Sequence, residues 1–529
     1  MKRSSLGSTI ALLFLLGACR TPAQLGSGEP LPGRLYLNRL PAWADSVGQM
    51  LSSDSLSGRL STTPGQRRAA QLLLDRLRSL GLPGAAEDGS YLQRFPVRVR
   101  LLDTSRTYLV LHNGEQSRPL SVGRYFYALN EYALPGRWDT LQVLFAGYGI
   151  STSEHDDLAG LDAEGRILVV FSGAPRTLSV RHIPFLDDSL DLGGAEYKLL
   201  NALFVHRAAG LIIFEEPDLL ENWDRLRPNL LGPAMRLEAE EGFALERPLL
   251  FGHPDLGRLL FGERYEALRD SARLGAPLTP AALPVRLSVQ LALWERRDST
   301  ENVLAYVPGR NRADQWIVLG AHYDHLGVFD GEVYPGADDN ASGSVALLSV
   351  AAALAEDWRA GRQPARSVLF AWYSAEEQGL LGSEWLVRHL PRRIQIRRVL
   401  AKINVDMVGR TSADTLYLIG AARLRPALQT TIESVNRRLG LFVLDLSFDD
   451  PAHPARLYER SDQYSWAQRG VPVAFFTDGM GENWTRQSPL DDYHRPTDSW
   501  EKINREKLRK TALLLYELVR ELADRVRRL

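Results

Sequence analysis

The sequence contains 529 residues, of which 45% are apolar and 24% are charged, and its formal net charge is −1. At roughly 100–200 residues per domain, this length predicts two to three globular domains with a large hydrophobic core. Basic and acidic residues are interspersed without a long run of either, and this pattern argues against a nucleic-acid partner.

The first twenty residues are typical of an export signal. Two basic residues precede an apolar run at Ile10–Leu16, which is much shorter than the roughly 20 residues of a membrane-spanning helix. The four residues that end at Cys19 resemble a bacterial lipobox. That resemblance implies that residues 1–19 are a lipoprotein signal peptide and that Cys19 carries a lipid anchor. We therefore expect an exported protein of the bacterial cell envelope, at the outer membrane or facing the periplasm, with residues 20–39 as a flexible tether.

Residues 40–100 show a helical pattern, and the clearest helix lies between Thr63 and Gly81. Thr63 is predicted to be its N-cap, Pro64 suits the first helical position, and Gln66 stands where a capping box places its reciprocal acceptor. Gly81 is predicted to end the helix.

From residue 101 to residue 296 the pattern changes to short apolar strands separated by loops. The last strand alternates strictly between apolar and other residues from Val285 to Leu293, as a half-buried strand does. Five histidines are scattered through this region without ligand spacing, and we expect them to be structural or exposed. The region is predicted to be a β-rich domain without catalytic residues.

From Asn302 onward, apolar strands alternate with helices. This order predicts an α/β fold with a mostly parallel central sheet that is flanked by helices. In open sheets of this kind, ligands bind beyond the carboxyl ends of the strands. Four polar residues are predicted to lie there: His322, Glu376, Glu377 and Asp406.

A metal site is predicted from these residues and from two others. Catalytic zinc takes imidazole nitrogen and carboxylate oxygen as ligands. The candidate ligands are His322, Asp338, Glu377, Asp406 and His494. Two histidines and three carboxylates suit two metal ions, roughly 3.5–4 Å apart, provided that one carboxylate bridges them. Zinc is the expected metal, with cobalt or manganese as alternatives, and Glu376 remains available as a general base.

These motifs resemble the co-catalytic zinc aminopeptidase family, metallopeptidase family twenty-eight, over about residues 40–96 and 302–528. The resemblance implies a catalytic domain made of residues 40–100 and 297–529. Three segments of the intervening region resemble a protease-associated domain, which this family commonly carries as an insertion: Phe145–Ile150, Asp157–Asp162 and His206–Phe214.

The resemblance also implies a role for each ligand. Asp338 would bridge the two metal ions. His322 and Asp406 would complete one metal site, and Glu377 and His494 would complete the other.

Three further residues are candidates for supporting roles. A ligating histidine usually donates its other N–H group to a carboxylate, and Asp324, two residues after His322, resembles the family's partner. Asp498 is predicted either to support His494 in the same way or to cap the nearby helix. Tyr493 resembles the tyrosine that some relatives use to stabilise the oxyanion.

The predicted function is that of a metal-dependent exopeptidase, most simply an aminopeptidase that removes N-terminal residues from peptides. A carboxypeptidase or dipeptidase on the same scaffold is the alternative, and it would need a cationic clamp for the substrate carboxylate. A single-zinc glutaminyl cyclase fits less well because the chain has a full two-metal ligand set. A receptor-like binding lipoprotein also fits less well because such relatives lose ligands or the base.

Overall fold

The computed structural model describes residues 30–525, except for 129–132, 180, 186–187, 217–218, 221, 239–244, 411, 452, 454 and 479–491. The predicted lipid attachment site, Cys19, therefore lies outside the described residues. The strands, numbered in chain order, are β1 Leu92–Leu102, β2 Tyr108–Asn113, β3 Gln116–Ser121, β4 Phe126–Ala128, β5 Gly136–Phe145, β6 Ile167–Phe171, β7 His182–Phe185, β8 Asp188–Asp191, β9 Gly210–Phe214, β10 Ala234–Leu237, β11 Leu249–Gly252, β12 Ala281–Leu291, β13 Leu293–Val307, β14 Arg312–His322, β15 Gly327–Phe329, β16 Glu332–Tyr334, β17 Arg366–Tyr373, β18 Val399–Val405, β19 Thr415–Ile419, β20 Val443–Asp445 and β21 Val473–Thr477.

The α-helices of the described residues vary widely in length, and the longest lie in the second half of the chain. They are Pro32–Tyr36, Ala42–Leu51, Pro64–Ser79, Ala195–Leu199, Arg227–Leu231, Pro254–Phe261, Arg264–Arg273, Gly343–Arg359, Leu381–Arg388, Pro426–Leu439, Gln463–Ala467 and Arg505–Asp524.

The larger sheet has nine strands in the order β10-β1-β13-β17-β14-β18-β21-β19-β20. Its four central strands, β17, β14, β18 and β21, pair in parallel. The strands on the β1 side pair antiparallel, and so do β19 and β21. The predicted α/β class is confirmed, and the parallel pairing is confined to the centre of a mixed sheet and to the β19–β20 edge.

The main core forms where helices cover this sheet. Helix Gly343–Arg359 is buried along nearly its whole length, since its sequence consists largely of alanine, leucine, valine and serine. Helix Arg505–Asp524 packs against it and contributes leucines to the same cluster. The N-terminal helix, Pro32–Tyr36, comes so close that a Cβ atom at Gly33 would lie 2.4 Å from the carbonyl oxygen of Ala353. The tether predicted for residues 20–39 is therefore wrong for this helix and for Leu37, which is buried in the same core.

The helix Pro64–Ser79 begins and ends as the sequence predicts. The Thr63 side chain accepts a hydrogen bond from the Gln66 backbone N–H at 3.5 Å, and Gly81 adopts a φ of 71° after the last turn. The capping-box prediction for Gln66 is wrong. Its buried side chain donates instead to Tyr323 Oη and to Glu301 Oε1, because the start of this helix packs beneath the end of β14.

The second sheet has eight strands in the order β3-β2-β12-β5-β6-β9-β11-β4. Its strands enclose a separate hydrophobic cluster that runs from Leu102 to Leu291. The chain enters this unit from β1 and leaves it into β13, and those two strands pair with each other. One strand of the same stretch, β10, returns to pair with β1 at the edge of the larger sheet. We call residues 103–292 the insertion.

Within the described part of the chain, none of the helices combines the length and the apolar character needed to cross a bilayer.

Candidate metal centre

Five of the predicted site residues meet at the carboxyl ends of the central strands. His322 is the last residue of β14, and Asp406 directly follows β18. Glu376 and Glu377 follow β17 after a two-residue turn, and His494 comes from the chain beyond β21. Parallel strands end at the same edge of a sheet, so residues that are far apart in sequence become neighbours there.

The backbone beside these side chains is constrained. Ala375, Met407 and His494 are non-glycine residues in the left-handed region, with φ values of 57°, 52° and 55°. Such conformations persist only where the surrounding structure holds them, and they cluster at functional sites. The fold therefore imposes the positions of Glu376, which follows Ala375, and of Asp406, which precedes Met407.

Asp339 occupies the centre of the cluster. Its Oδ1 lies 3.2 Å from His322 Nε2, and its Oδ2 lies 3.2 Å from His494 Nε2. Each histidine nitrogen faces a second carboxylate at the same distance, Asp406 Oδ1 for His322 and Glu377 Oε2 for His494. The result is two sets of one imidazole and one terminal carboxylate, joined by the carboxylate of Asp339.

The prediction that Asp338 lies between the histidines is wrong. Its Oδ1 accepts a hydrogen bond from the Gly409 backbone N–H at 2.8 Å, and its buried Oδ2 has no hydrogen-bond partner among the described residues. The two acids are adjacent in one loop, and their side chains leave it in different directions. Asp498 fixes that loop by accepting hydrogen bonds from the backbone N–H groups of both Asp338 and Asp339. The peptide bond between Asp339 and Asn340 is cis.

The donor set fits two zinc ions. Two ligands on one tetrahedral zinc, each at about 2.0–2.1 Å, lie roughly 3.4 Å apart, close to the nitrogen–oxygen separations seen here. His494 Nε2 is buried, and its two 3.2 Å contacts with Asp339 and Glu377 do not have the geometry of hydrogen bonds. A buried polar atom without a partner is costly, and coordination of a cation would satisfy the Nε2 atom.

Glu376 lies beside the two ligand sets without belonging to either. Its Oε2 is 3.9 Å from His322 Nε2, beyond the separation of the other pairs, and its side chain lines the adjoining cleft. Burial raises the pKa of Glu376 well above its ordinary value, and the nearby Asp406 and Glu377 add to this effect against the opposing charge of His322. A carboxylate with such a raised pKa holds a proton readily, as a general base must.

Electrostatics keep His494 and Glu377 oppositely charged. Burial lowers the pKa of His494, but Glu377 and Asp339 outweigh it and raise the pKa to about 9. Burial and Asp339 raise the pKa of Glu377, but His494 and His325 outweigh them and lower it to about 2. The cluster thus combines carboxylate charge with protonated imidazoles, and a bound metal cation would displace their protons.

Two neighbouring residues orient the ligands. His322 Nδ1 faces Asp324, at 3.3 Å from its backbone oxygen and 3.7 Å from its Oδ1. Asp324 Oδ1 also accepts a hydrogen bond from the Glu376 backbone N–H, so it links the strand end that carries the first histidine to the one that carries the base. His325 Nδ1 lies 2.7 Å from Glu377 Oε1, which leaves Oε2 facing His494.

The prediction that Asp498 supports His494 is wrong, and so is its alternative as a helix cap. Its carboxylate is committed to the backbone of Asp338 and Asp339 and to the guanidinium of Arg410. Both Asp498 and Arg410 are nearly fully buried, so this contact is an internal support of the metal-ligand loop.

A cleft of about 570 Å³ opens directly over the cluster. The Tyr493 ring stacks on the His494 ring with centroids 3.8 Å apart and faces the cleft. Burial raises the pKa of Tyr493 well above its ordinary value, so its phenol stays protonated and can donate a hydrogen bond. The apolar part of the wall comes from Met407, Leu457 and Phe475.

Comparison with known proteins identifies the segment that carries this cluster. Residues 302–519 match Peptidase family M28. Leucine aminopeptidase 2 of Trichophyton rubrum is 30% identical over 254 residues, which are 45% of this chain and 47% of that relative. The chain therefore spans about half the length of such relatives.

Solved structures share the fold over almost the whole chain. The aminopeptidase from Aneurinibacillus sp. strain AM-1 has a TM-score of 0.59 at 19% identity and covers 93% of this chain and 96% of its own. The zinc aminopeptidase BSAP from Bacillus subtilis has a TM-score of 0.54 at 20% identity, covering 91% and 96%.

Within the family M28 segment, sequence reasoning missed Asp339 and His325. Asp339 was available in the motif Asp338-Asp339-Asn340, but spacing alone cannot decide between adjacent acids. His325 stands three residues after His322, and its signal was its place in the same strand-end loop. Outside that segment, nothing in the sequence indicated that Asn229, which belongs to the insertion, would line the cleft.

Proposed function

We propose that the protein is a metal-dependent aminopeptidase that hydrolyses the N-terminal bond of peptides. The observation that carries this proposal is the carboxylate of Asp339 between two histidines, each of which faces a further carboxylate at 3.2 Å. The family M28 match and the named aminopeptidases among its relatives support the same reaction class.

The residues that would hold two divalent ions, zinc by preference, are His322, Asp339 and Asp406 for one and His494, Asp339 and Glu377 for the other. When bound, such ions lower the pKa of water and polarise a carbonyl group. Asp324 and His325 would hold the ligands in place, as residues behind metal ligands commonly do.

The chain's own residues would carry the proton transfers. Glu376 Oε2 would accept the proton of the attacking water and pass it to the leaving amine. Its position suits both steps, because it lies beside the ligand sets, with Oε2 3.9 Å from His322 Nε2, and lines the cleft without belonging to either set. The phenol of Tyr493, stacked beside His494, would donate a hydrogen bond to the oxygen that becomes negative at the scissile carbon.

The metal end of the cleft suits a free amino terminus. Asp339, Glu376, Glu377 and Asp406 all line it there. Two zinc ions would offset the charge of the three ligand carboxylates, and an open coordination position on one ion would take the free α-amine of a peptide. An N-acetylated peptide lacks that amine, so this arrangement would favour an aminopeptidase.

We also propose that the protein is exported and lipid-anchored through Cys19, and that the insertion is a protease-associated domain. The signal-like residues 1–19 support the first proposal. The separate sheet and core of the insertion support the second. Replacement of Cys19 by alanine should release the protein from the membrane fraction, and a variant that remains membrane-bound would contradict the anchor.

The activity is tested with aminoacyl-nitroanilides, free and N-acetylated, and with Glu376→Gln as the matched variant. We expect cleavage of the free-amine substrates only, loss of cleavage with a chelator, and a kcat lowered about 10²–10⁴-fold in the variant. The variant should keep its bound metal, since Glu376 belongs to neither ligand set.

The outcome that would overturn the proposal is cleavage of N-acetylated peptides at their C terminus. Metal-loaded protein that cleaves neither class would point instead to a binding lipoprotein.

A further inference from the structure

Three arginines gather at the end of the cleft that lies beyond Tyr493. Arg460 lines the cleft itself. Arg225, from the insertion, places its guanidinium carbon 5.6 Å from the centre of the Tyr493 ring. Arg495 directly follows His494. Burial lowers the pKa of Arg225, Tyr493 opposes this effect, and the charges of Arg495 and Arg460 add to the lowering.

Two polar side chains of the insertion have unused hydrogen-bonding capacity at this end. Arg225 Nε is buried and has no hydrogen-bond acceptor among the residues the structure describes. The side-chain oxygen of Asn229, which lines the cleft one helical turn later, is buried and equally lacks a partner within that part of the chain. Buried polar atoms in native proteins are almost always satisfied. The Arg225 donor beside the cleft therefore indicates an acceptor on a ligand, and the Asn229 oxygen indicates a donor such as a peptide N–H group.

The acids on the same rim already have cationic partners. Glu459 lies 2.6 Å from Arg456, and Glu384 pairs with Arg388. The positive charge of Arg460 acts on Arg225, and a ligand anion that contacts both side chains would reduce their mutual repulsion. The guanidinium fork matches a carboxylate in particular, because it can donate two parallel hydrogen bonds to it.

We propose that Arg225 and Arg460 bind the C-terminal carboxylate of short peptide substrates, so that the enzyme prefers dipeptides and tripeptides. This inference rests on the proposed aminopeptidase function. The cleft would then hold the two ends of a short peptide differently. Its amino end would lie at the metal cluster, and its carboxylate would pair with the guanidinium groups near Tyr493.

The distances limit the length of the peptide. The Arg225 guanidinium is linked to the His494 ring by two ring contacts, of 5.6 Å and 3.8 Å, through Tyr493. An extended chain advances roughly 3.3–3.6 Å per residue. A carboxylate that lies one or two residues beyond the scissile bond would reach the guanidinium groups, whereas a long peptide would carry its carboxylate past them.

The test compares substrates that differ only in the carboxylate. Leu-Ala, Leu-Ala-amide, Leu-Glu-amide and Leu-Gln-amide are assayed with wild type, Arg225→Gln, Arg225→Lys and Arg227→Gln. We expect kcat/KM for Leu-Ala to exceed that for its amide at least about tenfold, as a charge-assisted hydrogen bond allows. In Arg225→Gln, the ratio of kcat/KM for Leu-Ala to that for its amide should fall towards one. Arg225→Lys should retain part of this preference, because lysine keeps the positive charge but lacks the two-pronged guanidinium group.

Arg227→Gln is the matched control. Arg227 belongs to the same helix region but pairs with Asp330 at 3.1 Å, away from the cleft. It should leave the ratio unchanged. A preference for Leu-Glu-amide over Leu-Gln-amide without one for Leu-Ala over its amide would overturn the proposal, because the arginines would then recognise an acidic side chain.

A binding measurement separates this proposal from the aminopeptidase proposal. In a Glu376→Gln background, calorimetry should show tighter binding of Leu-Ala than of Leu-Ala-amide, and the added Arg225→Gln substitution should remove the difference. If Leu-Ala and its amide bind with equal affinity while the wild type remains active, only the carboxylate site is overturned. Loss of all activity with the affinity difference intact would overturn the peptidase and leave the carboxylate site standing.

Discussion

At the scale of single residues, the choice between Asp338 and Asp339 decides the chemistry. Both are buried acids in one loop, yet only Asp339 faces the two histidines. Burial raises the pKa of Asp338 well above its ordinary value, with Asp498 and Asp478 adding to the effect. Asp338 is thus suited to a neutral, structural role, and Asp339 to a charged, bridging one.

Paired substitutions test this assignment. Asp339→Asn should lower kcat by at least about a thousandfold, because loss of the bridging carboxylate removes several kcal/mol of metal-derived stabilisation of the transition state. Asp338→Asn should change kcat far less, since an amide oxygen can still accept from Gly409. Bound zinc per chain, measured by plasma mass spectrometry, should fall only in the first variant, and the opposite ranking would restore Asp338 as the bridge.

At the scale of elements, the loop that carries Asp339 depends on a buried contact from a distant segment. Asp498 accepts hydrogen bonds from its backbone and pairs with Arg410, and these two side chains are only 2% and 6% exposed. Removing one partner of a buried ion pair leaves an uncompensated charge. The loop should therefore lose its position when Asp498 loses its charge.

We expect Asp498→Asn to lower the free energy of unfolding by roughly 3–5 kcal/mol and to weaken zinc binding. Asp414→Asn is the control, because Asp414 is 77% exposed and pairs with Lys510 at the surface. Such a surface pair contributes at most about 1 kcal/mol. Urea unfolding measures both variants, and equal stabilities would show that Asp498 does not support the loop.

The insertion has a buried lysine of its own. Lys198 donates hydrogen bonds to the backbone oxygens of Tyr148 and Gly173 at 2.7 and 2.9 Å, and burial lowers its pKa from 10.5 to about 7. Between these two pH values the unfolded chain binds more protons at this residue than the folded chain. Stability contributed by Lys198 therefore rises with pH across that window and is constant below it.

The difference in the free energy of unfolding between wild type and Lys198→Met should depend on pH. From pH 7 to pH 10, the free energy of unfolding of wild type should rise relative to that of the variant by up to about 1.4 kcal/mol per pH unit. Denaturant unfolding at several pH values measures it, and parallel profiles would show that Lys198 has an ordinary pKa in the folded protein.

Much of the element pattern was predictable from sequence because apolar periodicity is local. The helix between Thr63 and Gly81 was predicted with both of its ends, and the alternating run that begins at Val285 lies in strand β12 up to Leu291. The partner of each strand was not predictable, because pairing is a long-range property. Strand β10, which leaves the insertion to join β1, had no signal in its four residues.

The sequence was sufficient to predict which site residues lie at the strand ends, but not the directions of the side chains in the loop that carries the bridging acid. His322, Glu376, Glu377 and Asp406 follow from the rule that ligands bind at the carboxyl edge of a parallel sheet. The direction of Asp338 and Asp339 depends on hydrogen bonds that their backbone N–H groups donate to Asp498, which is more than 150 residues away in sequence. A contact of that range has no local pattern.

At the scale of the whole molecule, the two units meet at the cleft. The carboxyl ends of the nine-stranded sheet carry the proposed metal ligands and general base, and the insertion contributes Asn229 and, beside Tyr493, Arg225. If both proposals hold, the chemistry and the recognition of the far end of the substrate would be divided between the two cores. Such a division would give a role to a second unit that has few candidate catalytic groups.

The central claim is a pair of metal ions joined by Asp339, and zinc-edge anomalous diffraction from crystals grown with zinc tests it most directly. The account predicts two anomalous peaks, roughly 3.5–4 Å apart, with one oxygen of Asp339 beside each. A single peak, or two peaks bridged by Asp338, would contradict it.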